Sequence, residues 1–214
     1  MLGVLAGAVF AAQIAISIDD GPSAMAGQYL SVLSQKGVHA TFFWIGQNVR
    51  SNGGSASSTI SGGHEVGCHS DNYDSMGSNS VSQDQSLLSA AISAMQSAGA
   101  PAPKLFRAPN LDYSTTLLQA AGQLGMAVIG TDVLGHDWES GVGTSQIVNY
   151  IVQAAHDGGI ILLHEQSSGD TKSVEALGQI IDQLKAKGYE FFTVSGLAQA
   201  KGVNLQAGTR YDKF

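Results

Sequence analysis

The chain has 214 residues, 43% of them hydrophobic and 13% charged, with a formal net charge of -7. That length suits one domain with enough apolar content for a sizeable core, and the acidic balance excludes binding to nucleic acid or to an anionic membrane through a basic face. The single cysteine, Cys68, excludes an internal disulfide and a cysteine-based zinc cage.

Met1 to Ala12 is almost wholly apolar and small. It is shorter than the ~20 residues that span a bilayer. It resembles the apolar region of a signal peptide with Ala-x-Ala-like endings, although positive residues in front of it are absent. We read 1–12 as a signal-derived segment, with a buried first segment as the alternative, and 13–214 as the domain. No later run is long enough for a membrane helix.

Gln13 to Ile18 predicts a first strand, ending in the adjacent carboxylates Asp19 and Asp20. Ser23 to Lys36 predicts a helix, started by Pro22, striped by Met25, Tyr29, Leu30 and Leu33, and stopped by Gly37. His39 to Ile45 is rich in β-branched and aromatic residues and reads as a second strand. Gln47 to Gly63 carries Gly53-Gly54 and several serines, so a short or irregular helix is expected there. His64 to Cys68 is a third strand, and Asn72 to Ser80 a polar loop.

Ser82-Gln83-Asp84-Gln85 has the pattern of a capping box ahead of the apolar face Leu87, Leu88, Ala91, Ile92 and Met95. Lys104 to Phe106 is a fourth strand, and Ser114 caps a helix running to Leu124. Met126 to Gly130 is a fifth strand, Thr144 to His156 a helix, and Gly159 to Leu163 a sixth strand. Thr171 to Lys187 is a helix, Glu190 to Val194 a seventh strand, and Ser195 to Ala200 a short closing helix. Val203 to Phe214 shows no period. Strands alternating with helices predict an α/β fold with an all-parallel, helix-covered sheet, open or closed into a barrel. No glycine-rich phosphate fingerprint follows any strand, which counts against nucleotide binding.

Chemistry in α/β folds sits at the carboxyl ends of strands. Asp19 and Asp20 follow the first strand, and His69 to Tyr73 the third. Arg107-Ala108-Pro109-Asn110 follows the fourth; Asp132, His136, Asp137 and Trp138 the fifth; His164-Glu165 the sixth. Each alone has a bland reading as a cap or surface residue; five strand ends together do not. A carboxylate with an imidazole binds a divalent metal, and Asp20 and His69 are the natural ligands. Asp19 is then free to act as a base on a metal-bound water, and His164 to protonate the leaving group. Arg107 pairs with Asp19, and Asp137 orients His164. The set suits hydrolysis of an amide or ester.

These motifs resemble the polysaccharide deacetylases of the NodB-homology type, carbohydrate esterase family 4, over about Gln13 to Val194. Ile18-Asp19-Asp20-Gly21-Pro22 matches the family's first motif, and Ala40-Thr41-Phe42-Phe43 resembles its second-strand signature. Gly63 to Ser70 resembles the approach to its metal motif. Arg107-Ala108-Pro109, Asp137-Trp138 and Leu162-Leu163-His164 match the later motifs in order.

The resemblance implies a distorted (β/α)7 barrel that removes N-acetyl or O-acetyl groups from a polymer such as chitin, peptidoglycan or acetylated xylan, with chitin or a related N-acetylglucosamine polymer foremost. It implies a divalent metal, zinc foremost with cobalt or others as alternatives, and a secreted or cell wall-associated protein; a monomer is expected. Asp19 would be the base, Asp20 and His69 ligands, His164 the acid, Arg107 and Asp137 their tuning partners, and Trp138 and Leu162 the acetyl pocket. Two positions depart from the pattern. Tyr73 stands where the metal motif has its second His, so a third protein ligand is missing or replaced. Asn110 stands where an aromatic usually follows Pro109; in the family that residue's backbone N–H helps hold the oxyanion. A sugar-binding homologue without activity is the alternative that Tyr73 raises.

Overall fold

The computed structural model describes residues 11–165 and 170–214. Of the apolar segment read as signal-derived, 1–10 lie outside the described residues, while Ala12 already belongs to the first strand. Among the described residues there are nine strands: β1 (Ala12–Gly21), β2 (Thr41–Trp44), β3 (Glu65–Cys68), β4 (Leu105–Phe106), β5 (Ala127–Ile129), β6 (Val133–Leu134), β7 (Ile160–His164), β8 (Tyr189–Phe192) and β9 (Arg210–Tyr211). Every pairing is parallel, in the order β6-β7-β1-β2-β3-β4-β5-β9, with β8 pairing the start of β1. The sheet curls into a distorted (β/α)7 barrel.

Among the described residues eight α-helices accompany it: α1 (Ala26–Lys36), α2 (Gly46–Asn52), α3 (Gly54–Ser61), α4 (Val81–Ser97), α5 (Thr115–Gln123), α6 (Thr144–Ala154), α7 (Lys172–Ala186) and α8 (Val194–Ala200). None is long and apolar enough to cross a membrane.

The strands' period of two divides the core into two layers. Ile14, Ile16, Ile18, Phe42, Trp44, Cys68, Phe106, Val128, Ile161 and Leu163 face outward and join the helices in one large apolar cluster. Ala15, Phe43, Leu105, Ala127, Ile129 and Ile160 face inward and form a second cluster with Val194 and Leu197 of α8. Helix α8 therefore closes the amino end of the barrel. Val194 N donates to Thr41 Oγ1 at 2.8 Å, and Glu65 accepts from the Thr41 hydroxyl and from Ser195 N. Following the inward parity up β1 gives Ala15, Ser17 and Asp19, from apolar floor to carboxylate. The same parity delivers His69 beyond β3, Arg107 beyond β4, and Leu162 and His164 on β7.

The structure revises several sequence-based expectations. Strands β6 and β9 have two residues each, too few for any alternation to register. The region 47–63 forms two helices, broken at Gly53. Helix α1 begins at Ala26, because Ser23 is drawn aside: its N–H bonds Glu165 and its hydroxyl accepts from Met25 N. Helix α4 is capped by Ser80, not Ser82. Ser80 has extended backbone, its side chain accepts from Gln83 N, and Gln83 Oε1 accepts from Ser80 N. Asp132 does not belong to the carboxyl rim. It bonds Ile160 N at the start of β7 at 3.1 Å and His156 at 2.7 Å, which places it near the amino end of that strand.

Candidate active site

Consecutive strand residues point to opposite faces, so Asp19 and Asp20 can share a site only if the strand geometry breaks between them. It does: Asp20 has φ 71° in the left-handed region, which Asp tolerates better than most residues. Asn48 on α2 donates to the Asp20 carbonyl at 2.6 Å and holds the turned backbone. Asp19 points inward, 2% exposed. Its Oδ1 accepts from Arg107 Nη1 at 2.8 Å.

Arg107 is fully buried and every bond it makes aims it: Nη1 also bonds Ser17 Oγ at 2.7 Å, Nε bonds Ile129 O at 3.2 Å, and Nη2 bonds Gly130 O at 2.7 Å. Its guanidinium lies 4.3 Å above the Phe43 ring. A buried guanidinium with its donors matched and a carboxylate partner is the arrangement that offsets desolvation.

His69 Nδ1 lies 2.8 Å from the Arg107 carbonyl oxygen. A carbonyl only accepts, so Nδ1 carries the proton. Nε2 then faces Asp20 Oδ1 at 3.5 Å and Asp19 Oδ2 at 3.6 Å, both beyond hydrogen-bond length. Acceptors converging on Nε2 favour a cation there, either a proton or a metal ion. Burial disfavours the imidazolium, but the charges of Asp19 and Asp20 outweigh it and hold the His69 pKa above its ordinary value.

The donor set also suits a divalent metal: one imidazole nitrogen, one carboxylate, and a backbone carbonyl fixing the far ring nitrogen. Among the described residues no group of three His, Cys, Asp or Glu side chains is arranged to hold a metal, so Asp20 and His69 make a sparse site. Tyr73 stands beside them at the cleft wall, 51% exposed. Its hydroxyl accepts from Asn48 Nδ2 at 2.7 Å. Burial raises its pKa against the opposing Asn48 bond, so the phenol stays neutral and is a weak ligand beside imidazole. Asp71 and Asn72 do not replace the missing ligand: Asp71 pairs with Arg50 at 2.8 Å and Asn72 with Asp74 at 2.7 Å.

Across the cleft, His164 Nδ1 lies 2.8 Å from Asp137 Oδ1, and its backbone N–H bonds Asp137 Oδ2 at 2.8 Å. Ser173 on α7 donates to the same Oδ2 at 2.6 Å, and Tyr29 donates to the His164 carbonyl at 2.8 Å. Burial opposes a charge on His164, yet the Asp137 bond, with Asp19 and Asp20 behind it, pushes its pKa up to about 9. The imidazole is therefore a cation at neutral pH with Nε2–H to give.

Glu165, 5% exposed, closes the wall beside it. Its Oε2 accepts from Ser23 N at 2.8 Å while Oε1 is buried without a partner among the described residues, and burial pushes its pKa up to about 7. Asp19, Asp20, His69, Tyr73, Asn110, Trp138, Leu162 and His164 line one cleft of about 730 Å³, with Arg107 and Asp137 buried behind it. Asn110 adopts φ 57° in a short 3-10 turn (Pro109–Leu111), a conformation Asn accepts more readily than an aromatic.

Sequence reasoning missed Asn48, Ser173 and Tyr29 as supports. Tyr29 read as an apolar stripe residue, although a buried tyrosine hydroxyl needs a partner.

Residues 9–129 match the family model described as polysaccharide deacetylase. The chain belongs to the polysaccharide deacetylase family. It is 40% identical over 192 residues to a bifunctional xylanase/deacetylase of Pseudobutyrivibrio xylanivorans, covering 89% of this chain and 31% of that protein. The chain thus spans about a third of that longer relative. It is 33% identical to a peptidoglycan-N-acetylglucosamine deacetylase of Bacillus cereus, covering 88% of this chain and 89% of that one. Among solved structures it resembles a family 4 acetyl xylan esterase from Clostridium thermocellum in complex with a cobalt ion, at 31% identity and a TM-score of 0.88, covering 94% of this chain and 98% of that chain. The polysaccharide deacetylase fold in this chain carries the inward-facing strand ends described above.

Proposed function

We propose that this chain removes acetyl groups from a polysaccharide by hydrolysis, assisted by a divalent cation, with O-acetylated xylan as the first substrate to test. One observation carries the reading: an Asp19–Arg107 pair, an Asp20–His69 pair and a His164–Asp137 pair converge on one open cleft. Xylan replaces the expected chitin at the head of the list, because the named relatives act on xylan or peptidoglycan. N-acetylglucosamine polymers are the second choice. A polymeric substrate also goes with a secreted or cell wall-associated monomer.

A divalent cation held by Asp20 and His69, with zinc first and cobalt next, would supply Lewis-acid polarisation of the acetyl carbonyl and a more acidic attacking water. Arg107 occupies Asp19 Oδ1, which leaves Oδ2 toward the cleft to take the proton from that water. The water oxygen bonds the acetyl carbon, and the bond from that carbon to the sugar oxygen breaks. His164, held charged by Asp137, gives its Nε2 proton to the departing oxygen. The products are acetate, a free sugar hydroxyl and one proton: Asp19 and the acetic acid each release a proton, and His164 regains one. Leu162 and Trp138 flank the acetyl methyl, and the turn carrying Asn110 presents its backbone N–H to the carbonyl oxygen.

Tyr73 and the two-donor count favour one second reading, a sugar-binding homologue without turnover. Acetate release from acetylated xylan and from N-acetylglucosamine oligomers, with and without added zinc or cobalt, separates the two. The deacetylase reading expects release that chelation abolishes and metal restores; no release under any metal leaves the binding homologue. Tyr73→His is expected to tighten zinc binding in a calorimetric titration. Unchanged affinity would mean that residue 73 does not reach the ion.

A further inference from the structure

Beyond the cleft, four aromatic rings stand in sequence. His164 and Trp138 have centroids 5.4 Å apart, Trp138 and His136 5.2 Å, and His136 and Tyr150 5.2 Å. Trp138 lines the cleft, and the line then leaves it over the loop after β6 to Tyr150 on α6. Trp138 is 48% exposed and Tyr150 42%, two of the three most exposed large apolar side chains among the described residues.

The middle ring is fixed. His136 has φ 54°, and its Nδ1 lies 2.8 Å from Glu139 Oε1. Mutual shielding of surface rings would explain their contacts, but not why the row begins beside the catalytic imidazole and keeps its outer members half open to water.

We propose that Tyr150 and His136 form a sugar-binding subsite for the part of the polymer that extends beyond the reacting unit. This rests on the deacetylase reading above. The C–H face of a pyranose ring is apolar and lies on an aromatic face, while its rim hydroxyls need hydrogen-bond partners. Tyr150 supplies the face, and the His136–Glu139 pair supplies a carboxylate and an imidazole at the edge. The net charge of -7 repels acidic polymers, so the occupant is a neutral glycan. Continuity with the cleft sets its path: a chain whose acetylated unit sits between Asp19 and His164 passes Trp138 and reaches Tyr150.

The test is affinity electrophoresis of the full chain through gels containing soluble acetylated xylan or glycol chitin. Wild type, Tyr150→Ala and Tyr150→Phe are compared, and acetate release from a short acetylated xylo-oligosaccharide is measured on the same proteins. Tyr150 is exposed on a helix, and alanine is the best helix former, so the variant is expected to fold. In a gel that retards wild type, Tyr150→Ala is expected to bind about fivefold more weakly, the size of one aromatic contact, while Tyr150→Phe keeps its retardation.

Equal retardation of wild type and Tyr150→Ala overturns the subsite. So does equal loss in Ala and Phe, or no retardation of wild type in either gel. Acetate release without ring-dependent retardation removes the subsite and leaves the deacetylase standing. Ring-dependent retardation without acetate release does the reverse.

Discussion

The proton inventory of the cleft is set residue by residue. His164 owes its raised pKa to Asp137, against the burial that disfavours its charge. If it is the acid, kcat/KM should fall on the alkaline side as pH passes about 9. Asp137→Asn removes the charge that sustains the imidazolium, so that limb should move down toward the ordinary histidine value near ~6.5. A pH profile of kcat/KM for both proteins checks this; an alkaline limb that stays at 9 in Asp137→Asn would take the acid role from His164.

At this scale the placement was legible: the ten residues given a role from the sequence lie at the cleft or directly behind it, and their roles stay proposals. Ionisable groups at strand ends have few bland explanations when they recur. What escaped was the support: Asn48, Ser173 and Tyr29 are ordinary helix residues whose roles exist only once distant strands have met them. Asp132 misled for the opposite reason. It follows β5 in sequence, but the chain re-enters the sheet as β6 within a few residues, which returns Asp132 toward the amino end of β7.

Among the elements, α4 gives the sharpest test of local reading. Two serines precede its apolar face, and the structure selects Ser80 as the cap by its extended backbone and its reciprocal bonds with Gln83. Ser80→Ala should cost about 1 kcal/mol, the usual loss of a cap. Ser82→Ala should be close to neutral, because Ser82 is already inside the helix. Urea denaturation of the two variants decides, and the reverse ranking would restore the sequence-based choice.

The longer elements were readable because periodicity accumulates over them. Strands β1 and β7 and helices α4 and α7 all lie within a few residues of their expected bounds. Strands β6 and β9 were not readable: each has two residues, and neither falls where the strand–helix rhythm that located the equally short β4 calls for a strand. The capping box was found in kind and misplaced by two residues, because Ser82 and Ser80 offer the same side chain and only the fold distinguishes them.

For the whole molecule, the raised pKa values make stability depend on pH. Glu165 is raised by burial from 4.5 to about 7, so its contribution is full below ~4.5 and is lost as pH climbs through 7. His164 is raised from 6.5 to about 9, so the stability of its ion pair is full below ~6.5 and is lost as pH climbs through 9. Asp137 is lowered by its partners against burial, so its share is lost in acid, as pH falls below the ordinary carboxylate value. The melting temperature should therefore peak in acidic buffer and decline in two steps as pH rises, one complete near 7 and one near 9. Glu165→Gln should erase the step near 7 and keep the one near 9. A melting series across pH reads both, and a single step unchanged by the variant would refute the assignment to Glu165. Overall topology was predictable because strand–helix alternation leaves few alternatives to a parallel sheet. The inner and outer assignment of each strand became visible only with the closure of the floor by α8.

Strand β1 is bonded to β2, β7 and β8 along its length, and its inward column runs from the floor to Asp19. Freeing it would break ladders with three other strands at once, so it opens only when the molecule unfolds. The outer strands β6 and β9 and the surface rings beyond Trp138 carry no such constraint. Asp19 therefore stands on the strand with the most partners, whose amides are expected to exchange most slowly, while those of the two-residue edge strands are expected to exchange first, so the rim can loosen at its margin without displacing its centre.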